Sequence, residues 1–304
     1  MAILERILGI ILPVLIIVGA GYGYARLRGK SVQADMTAVN RVSMEVLCPL
    51  LIFTALAGKE FDLAANGVLI LAGGVISLGS GLLAWPIARL LGYDVRSFVP
   101  PMMYNNCGNM GLPLALLAFG ASGLPGMIAL FMVCTMVYFS VGIIIIESGR
   151  KCEHASFFKF LSSPMMIAMI IGILFSLAKI PVPAPLFTAL KMLGEACIPL
   201  MLFALGIRMI EVSFKCWHIG LVGAIVCPVA GLAIAGMLDV LLTLSVQQRG
   251  LMYMFAALPP AVFCFIMAEH YQQEPDKVAA IVLLGNLASL LFVPVGLWLG
   301  LRGG

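Results

Sequence analysis

Asn105, Asn106 and Asn109 lie with Pro113 inside the apolar stretch MYNNCGNMGLPLALLAFG at residues 103–120. Pro259 and Pro260 interrupt a second such stretch, MYMFAALPPAVFCFIMAEHY, at 252–271. Proline removes a backbone donor and clashes with the preceding turn, and Gly108 and Gly111 loosen the first stretch further. The carbonyls and amides freed by each break cost roughly several kcal/mol apiece if lipid surrounds them, so both breaks must face protein or water. Two half-helices that meet there expose two N-termini, each with unpaired N–H groups and partial positive charge. Such a pair binds an anion without an arginine. The asparagine amides have two uses in that setting, as partners for the broken backbone and hydrogen bonds between helices, or as ligand contacts, and both stay open for each of them. Asn105 and Asn109, four residues apart, would share a helix face.

Other polar groups are sparse. Glu45 and Glu195 fall within apolar segments, where an ionised carboxylate costs around 2.5–3.5 kcal/mol at a helix centre. Coupling to a proton and structural pairing are both open for them; Lys191 stands one turn before Glu195. Asn286 and Ser289 could coordinate a cation or the solute, or hydrogen-bond between helices. No cofactor and no metal cluster is expected, while sodium or proton coupling stays open. The eight cysteines form no C-x-x-C pair and read as small packing residues, and His154, His218 and His270 fall in loops or at segment ends. His-Glu-x-x-His, Gly-x-Ser-x-Gly and a phosphate loop with lysine are all missing, which argues against an enzyme.

The elements that must position these residues are membrane spans. Of 304 residues, 62% are hydrophobic and 11% charged, and the mean hydropathy is +1.11, beyond what a soluble core needs. Ten apolar stretches near the length that crosses hydrocarbon are predicted, at 5–25, 40–57, 66–91, 99–119, 127–147, 163–179, 187–208, 219–243, 249–269 and 277–300. The first is read as a helix rather than a cleaved leader. Of the 18 Lys and Arg, twelve follow odd-numbered spans, which places those loops in the cytoplasm and both termini outside it. The basic residues form no patch suited to nucleic acid.

The chain also repeats itself. EVLCPLLIF from Glu45 and EACIPLMLF from Glu195 share Glu, Pro, Leu and Phe at one spacing, and the same offset of 150 (195 − 45) carries Gly81 to Gly231 and Pro125 to Pro275. Two five-span halves follow, 1–150 and 151–304. Because five is odd, the second must insert inverted relative to the first, an arrangement common in transporters. The expected fold is an all-α polytopic membrane protein: ten transmembrane helices in two inverted five-helix repeats, with crossed, broken helices four and nine.

NRVSMEVLCPLLIF from Asn40, NNCGNMGLPL from Asn105, LGEACIPLMLFALG from Leu193 and ALPPAVFCFIMAEHYQQEP from Ala257 together resemble the auxin efflux carrier family, including its bacterial members, related to the bile acid sodium symporter type of fold. The resemblance covers nearly all ten spans. It implies a solute site at the crossing, with Asn106 on the crossing asparagine and Pro259 on the Leu-Pro break, and transport of organic anions by an elevator motion against spans one, two, six and seven. Where plant members resemble Leu-Pro-Gln-Gly, this chain has Leu258, Pro259, Pro260 and Ala261, and their long cytoplasmic loop shrinks to about 148–162. The expected function is a secondary or facilitative carrier of small mono- or dicarboxylates in the lipid bilayer of a bacterial inner membrane, with a homodimer open; a sodium- or proton-coupled symporter or antiporter of the same fold is the alternative.

Overall fold

The computed structural model describes residues 2–29, 36, 38–39, 41–57, 63–148, 162–208 and 216–302. Most of the 148–162 loop, Asn40, Cys152 and His154 lie outside the described residues. Among the described residues twelve helices are taken in chain order: α1 (Ala2–Arg28), α2 (Ser43–Ala57), α3 (Leu63–Leu90), α4 (Val95–Met103), α5 (Cys107–Phe119), α6 (Gly123–Glu147), α7 (Pro164–Leu177), α8 (Ala184–Arg208), α9 (Trp217–Leu241), α10 (Val246–Ala257), α11 (Phe263–His270) and α12 (Pro275–Leu301). Six of them, α1, α3, α6, α8, α9 and α12, contain runs long and apolar enough to cross a membrane; α2, α5 and α7 are shorter apolar helices. The predicted fourth and ninth spans are each two helices, α4 with α5 and α10 with α11. Leu82, Leu90, Ile144, Leu174, Met237 and Leu291 stand exposed on the outer surface. So many bare aliphatic side chains suit lipid, not water. The chain is a multi-pass membrane protein.

Local chemistry sets the helix ends. Ser163 caps α7 by accepting the Met166 N–H, with Pro164 fixing the first turn. Ser245 and Gln248 form a reciprocal capping box at α10. Gly120 ends α5 with φ +71°, a conformation open to glycine. Helix ends recur at a fixed interval: Ala57 and Arg208, Leu90 and Leu241, and Phe119 and His270 are each 151 residues apart (208 − 57, 241 − 90 and 270 − 119).

The helices pack in two groups. One holds α1 against α8 and α2 against both α7 and α8; the other holds α9 and α10 against α12, and α3 against α4, α6 and α9. Between them lies a core built around Tyr104, Tyr138, Phe255 and Leu258, with the Tyr104 and Tyr138 rings stacked at 4.5 Å.

A polar clasp ties the turn between α11 and α12 to the first half of the chain. Ser97 Oγ donates to Glu274 Oε2 at 2.6 Å, Gln273 Nε2 donates to the Ile146 carbonyl at 3.3 Å, and Lys277 pairs with Glu274. Next to it Asp94 caps α4 and holds Arg96 at 2.7 Å. The Arg96 guanidinium keeps the Asp94 carboxyl below its ordinary range. A depressed carboxylate stabilises the fold above its unfolded pKa, about 3.9, and loses that contribution as pH falls through its lower folded value. Asn caps as well as Asp, so Asp94→Asn isolates the charge. At pH 7 it is expected to lower the unfolding midpoint by about 1–3 °C, since the pair is partly exposed. The gap should narrow as pH falls below about 3.9; a gap that does not narrow there would show that charge is not its cause.

Candidate functional site

α10 stops at Ala257 because Leu258, preceding a proline, is pushed into an extended conformation, with φ −64° and ψ 145°. α4 stops at Met103, and Tyr104 is likewise extended. The two interruptions meet as a short antiparallel bridge in which Asn105 faces Pro260. The Asn106 N–H donates to the Pro259 carbonyl and the Ala261 N–H to the Tyr104 carbonyl, each at 2.8 Å. Asn105 and Pro260 are therefore the non-hydrogen-bonded pair, where a proline lacking an N–H costs nothing.

Side chains complete the crossing. Asn105 Nδ2 donates to the Phe255 carbonyl at 2.7 Å, satisfying the last turn of α10, and Cys227 Sγ approaches Asn105 Oδ1 at 3.8 Å. Asn106 Nδ2 donates to Asn286 Oδ1 at 3.0 Å. Asn286 Nδ2 in turn donates to the Val282 carbonyl at 2.7 Å and reaches the Pro260 carbonyl at 3.5 Å. α12 comes this close because Gly285 has no Cβ; one would sit 2.8 Å from Pro260 Cδ. Ser289 Oγ donates to the Asn286 carbonyl at 2.6 Å, within α12.

Asn109 lies apart. Residues 104–106 are not helical, so Asn105 and Asn109 do not share a helix face, contrary to the expectation from their spacing. α5 opens with a wide turn in which the Asn106 carbonyl accepts from both Met110 and Gly111. That turn carries Asn109 to a narrow cleft between the two helix groups, where Val262, just ahead of α11, also stands. α2 contributes Ser43 and Met44 to the opposite wall, and α8 contributes Met201, Ala204 and Leu205. The first turns of both α5 and α11 thus reach one cleft. Among the described residues, the N–H groups of Gly108, Asn109, Val262 and Phe263 and the Asn109 amide have no protein partner. The cleft holds about 10 Å³, the space for roughly one water molecule.

Pro113 is not at the break. It is buried within α5, well past the interruption at 104–106. Glu45 and Glu195 are exposed on α2 and α8 and ion-paired to Arg41 at 3.1 Å and Lys191 at 3.8 Å, so neither is gathered into the crossing. Sequence reasoning missed Ser43, Met44, Ala204 and Leu205. A faint signal existed, since Met201 belongs to the repeated EACIPLMLF motif. The described cysteines are free thiols, buried except for Cys216.

Comparison with known proteins bears on what the chain does. The family model described as membrane transport protein matches residues 6–157 and 153–297. An uncharacterized transporter of Methanothermobacter thermautotrophicus is 26% identical over 303 residues, covering 94% of this chain and 95% of its own length. An uncharacterized transporter of Methanocaldococcus jannaschii is 23% identical over 309 residues, covering 95% and 97%. Taken with the paired breaks and the apolar helices, the match over nearly the whole chain identifies a transporter rather than an enzyme: the chain belongs to the membrane transport protein family, that of the auxin efflux carriers.

Proposed function

We propose that the chain is a secondary or facilitative carrier of small organic anions, held where the N-termini of α5 and α11 converge. The observation that carries this reading is the cleft itself, into which both first turns and the unpartnered Asn109 amide open. The two helix groups offer the moving parts: α1, α2, α7 and α8 serve as a scaffold against which the others slide. A cleft with room for roughly one water is a closed state, so loading requires that motion. The interval of 151 residues between helix ends supports two five-span halves, 1–150 and 151–304, inserted with opposite orientation. Odd-numbered loops then face the cytoplasm.

Asn109→Ala tests the site. A hydrogen bond to a charged group contributes about 1.5–3 kcal/mol, so transport into proteoliposomes is expected to fall roughly tenfold to a hundredfold in kcat/KM. Because Asn109 holds nothing in the resting protein, the unfolding midpoint should stay within about 1 °C of wild type. Transport at the wild-type rate would remove Asn109 from the site.

A cation-coupled form of the same carrier is the second reading. Asn286 gathers the Pro260 and Val282 carbonyls on its amide, an oxygen-rich spot beside the bridge, whereas Glu45 and Glu195 are engaged elsewhere. Replacing sodium with a bulky organic cation during uptake would abolish transport under this reading and leave it unchanged under the uncoupled one.

A further inference from the structure

α7 is 14 residues long, about 21 Å of helix, whereas the hydrocarbon layer of a bilayer is about 30 Å thick. Both of its ends are fixed by local chemistry. Ser163 and Pro164 start it, and Lys179 stops it in the left-handed conformation at φ 52°, with the Ile180 N–H donating back to the Phe175 carbonyl and the Lys179 N–H to the Ser176 carbonyl. From cap to stop is 16 residues (179 − 163), about 24 Å. Beyond it the backbone of 180–183 is not helical, and bare lipid does not accommodate such chain. Tilting the helix only shortens its reach across the layer.

The outer face of α7 is aliphatic from end to end. Ile167, Ile170, Ile171, Leu174 and Leu177 are all exposed, a stripe at helical spacing. The opposite face is seated on α2, another of the shorter apolar helices. A Cβ on Gly172 would fall 2.9 Å from Leu56 Cβ, and the Phe53 and Phe175 rings meet edge to face at 5.5 Å, so α7 cannot slide to another level. The other helix group is built to a different length: α9 has 25 residues and α12 has 27, about 37 Å and 40 Å.

Exposed ion pairs on the same side as α7 give a second, independent sign. Lys191 and Glu195 on α8 are 3.8 Å apart with side chains 49% and 47% exposed, and Glu195 lies 11 residues (195 − 184), about 16 Å, along that helix. In a layer of ordinary thickness that is close to the centre. Arg41 and Glu45 on α2 are exposed as well. Charges at such depth are costly, and local thinning of the bilayer relieves the cost. In a layer of about 24 Å no group stands more than about 12 Å from a headgroup.

We infer that the bilayer is thinned where it meets the group formed by α1, α2, α7 and α8, and that the stripe on α7 is an interaction surface for phospholipids of short acyl chain, while α9 and α12 take chains of ordinary length. For a carrier whose helix groups slide, a thin layer at the scaffold also shortens the path from one aqueous side to the other.

Quenching of tryptophan fluorescence by brominated phosphatidylcholine tests this on the full chain in vesicles. The three native tryptophans, Trp85, Trp217 and Trp298, are exposed on α3, α9 and α12 and report the lipid there. Ile170→Trp, in a chain with those three changed to Phe, reports the lipid at α7. Monounsaturated phosphatidylcholines of fourteen to twenty-two carbons per chain compete with a brominated eighteen-carbon lipid. The tryptophan on α7 should favour fourteen-carbon over eighteen-carbon chains by about threefold or more, and the native tryptophans should favour eighteen carbons. A preference for eighteen carbons at both places would overturn the inference. So would a tryptophan on α7 that brominated lipid of no length quenches, because protein, such as a second copy of the chain, would then cover the stripe. The wild-type chain in dioleoylphosphatidylcholine nanodiscs gives the same reading without substitution: in cryo-electron microscopy density the two headgroup layers should approach one another by about 6 Å or more at α7 relative to α9 and α12, and layers of even spacing would overturn the thinning.

Discussion

Asn105→Asp is expected to destabilise the protein far more than Asn105→Ala, and to do so in a strongly pH-dependent way. The substitution is nearly isosteric, so packing is unchanged and only the chemistry differs. Asn105 is 5% exposed, and the atom 2.7 Å from the Phe255 carbonyl must be a donor, because a carbonyl can only accept. A carboxylate there sets two acceptors against each other at the crossing. The variant must either bury that charge or keep the carboxyl protonated so that it can donate. Holding a proton on a group with an ordinary pKa near 3.9 costs about 1.4 kcal/mol per pH unit, hence about 5 kcal/mol at pH 7.5 and about 2 kcal/mol at pH 5.5. The penalty is present above the unfolded pKa and shrinks as pH falls toward it. Asn105→Ala, which only orphans the Phe255 carbonyl, should cost about 1–3 kcal/mol at both pH values. Thermal unfolding in detergent at the two pH values reads this directly. An aspartate variant that melts with wild type at pH 7.5 would mean that Asn105 does not satisfy the end of α10.

Why Asn105 could be flagged from sequence but not assigned its task follows from the same geometry. An asparagine run beside glycines in an apolar stretch marks a broken helix, and a paired proline marks a second one; both inferences use backbone chemistry that neighbours cannot override. Where the first break falls is another matter. Pro113 is the conspicuous breaker, yet the wide turn opening α5 spaces the carbonyls so that helix continues through it, and the real interruption precedes Cys107. That shift by more than a turn separates Asn105 from Asn109. One meets α10, the other the cleft, and a helical wheel drawn through both is invalid. Ser43 was hidden for a related reason. Nothing in its residue type announces the wide turn that it opens in α2, and Asn109 across the cleft lies 66 positions away (109 − 43). Glu45 and Glu195 drew notice through their charge, whereas the residues lining the cleft are mostly apolar, Met44, Met201, Ala204, Leu205 and Val262, which read as ordinary lipid-facing or core positions.

The repeat leads to a second large effect, because positions that correspond in sequence need not tolerate the same change. Gly81 and Gly231 are 150 residues apart (231 − 81) and both face the first half of a broken helix. A Cβ on Gly81 would fall 2.5 Å from Met103 Cγ and 2.6 Å from its sulfur, a flexible side chain that can swing aside. A Cβ on Gly231 would fall 2.4 Å from the Ala256 carbonyl oxygen and 3.2 Å from its carbon. That carbonyl belongs to the last turn of α10, immediately before the crossing, and cannot move unless α9 and α10 part. Gly81→Ala gains about 1 kcal/mol of helix propensity to offset its crowding, and should leave stability within about 1 kcal/mol of wild type. Gly231→Ala gains the same propensity but has to displace backbone, so a net loss of about 3 kcal/mol or more is expected, read as a collapse of the monodisperse fraction after purification. Transport should fall with it, because displacing Ala256 shifts the Phe255 carbonyl off Asn105 and with it the bridge that aims both helix N-termini at the cleft. Equal tolerance at the two positions would imply that α9 approaches α10 less closely than α3 approaches α4, and the crossing would then need another support than the contact at Gly231.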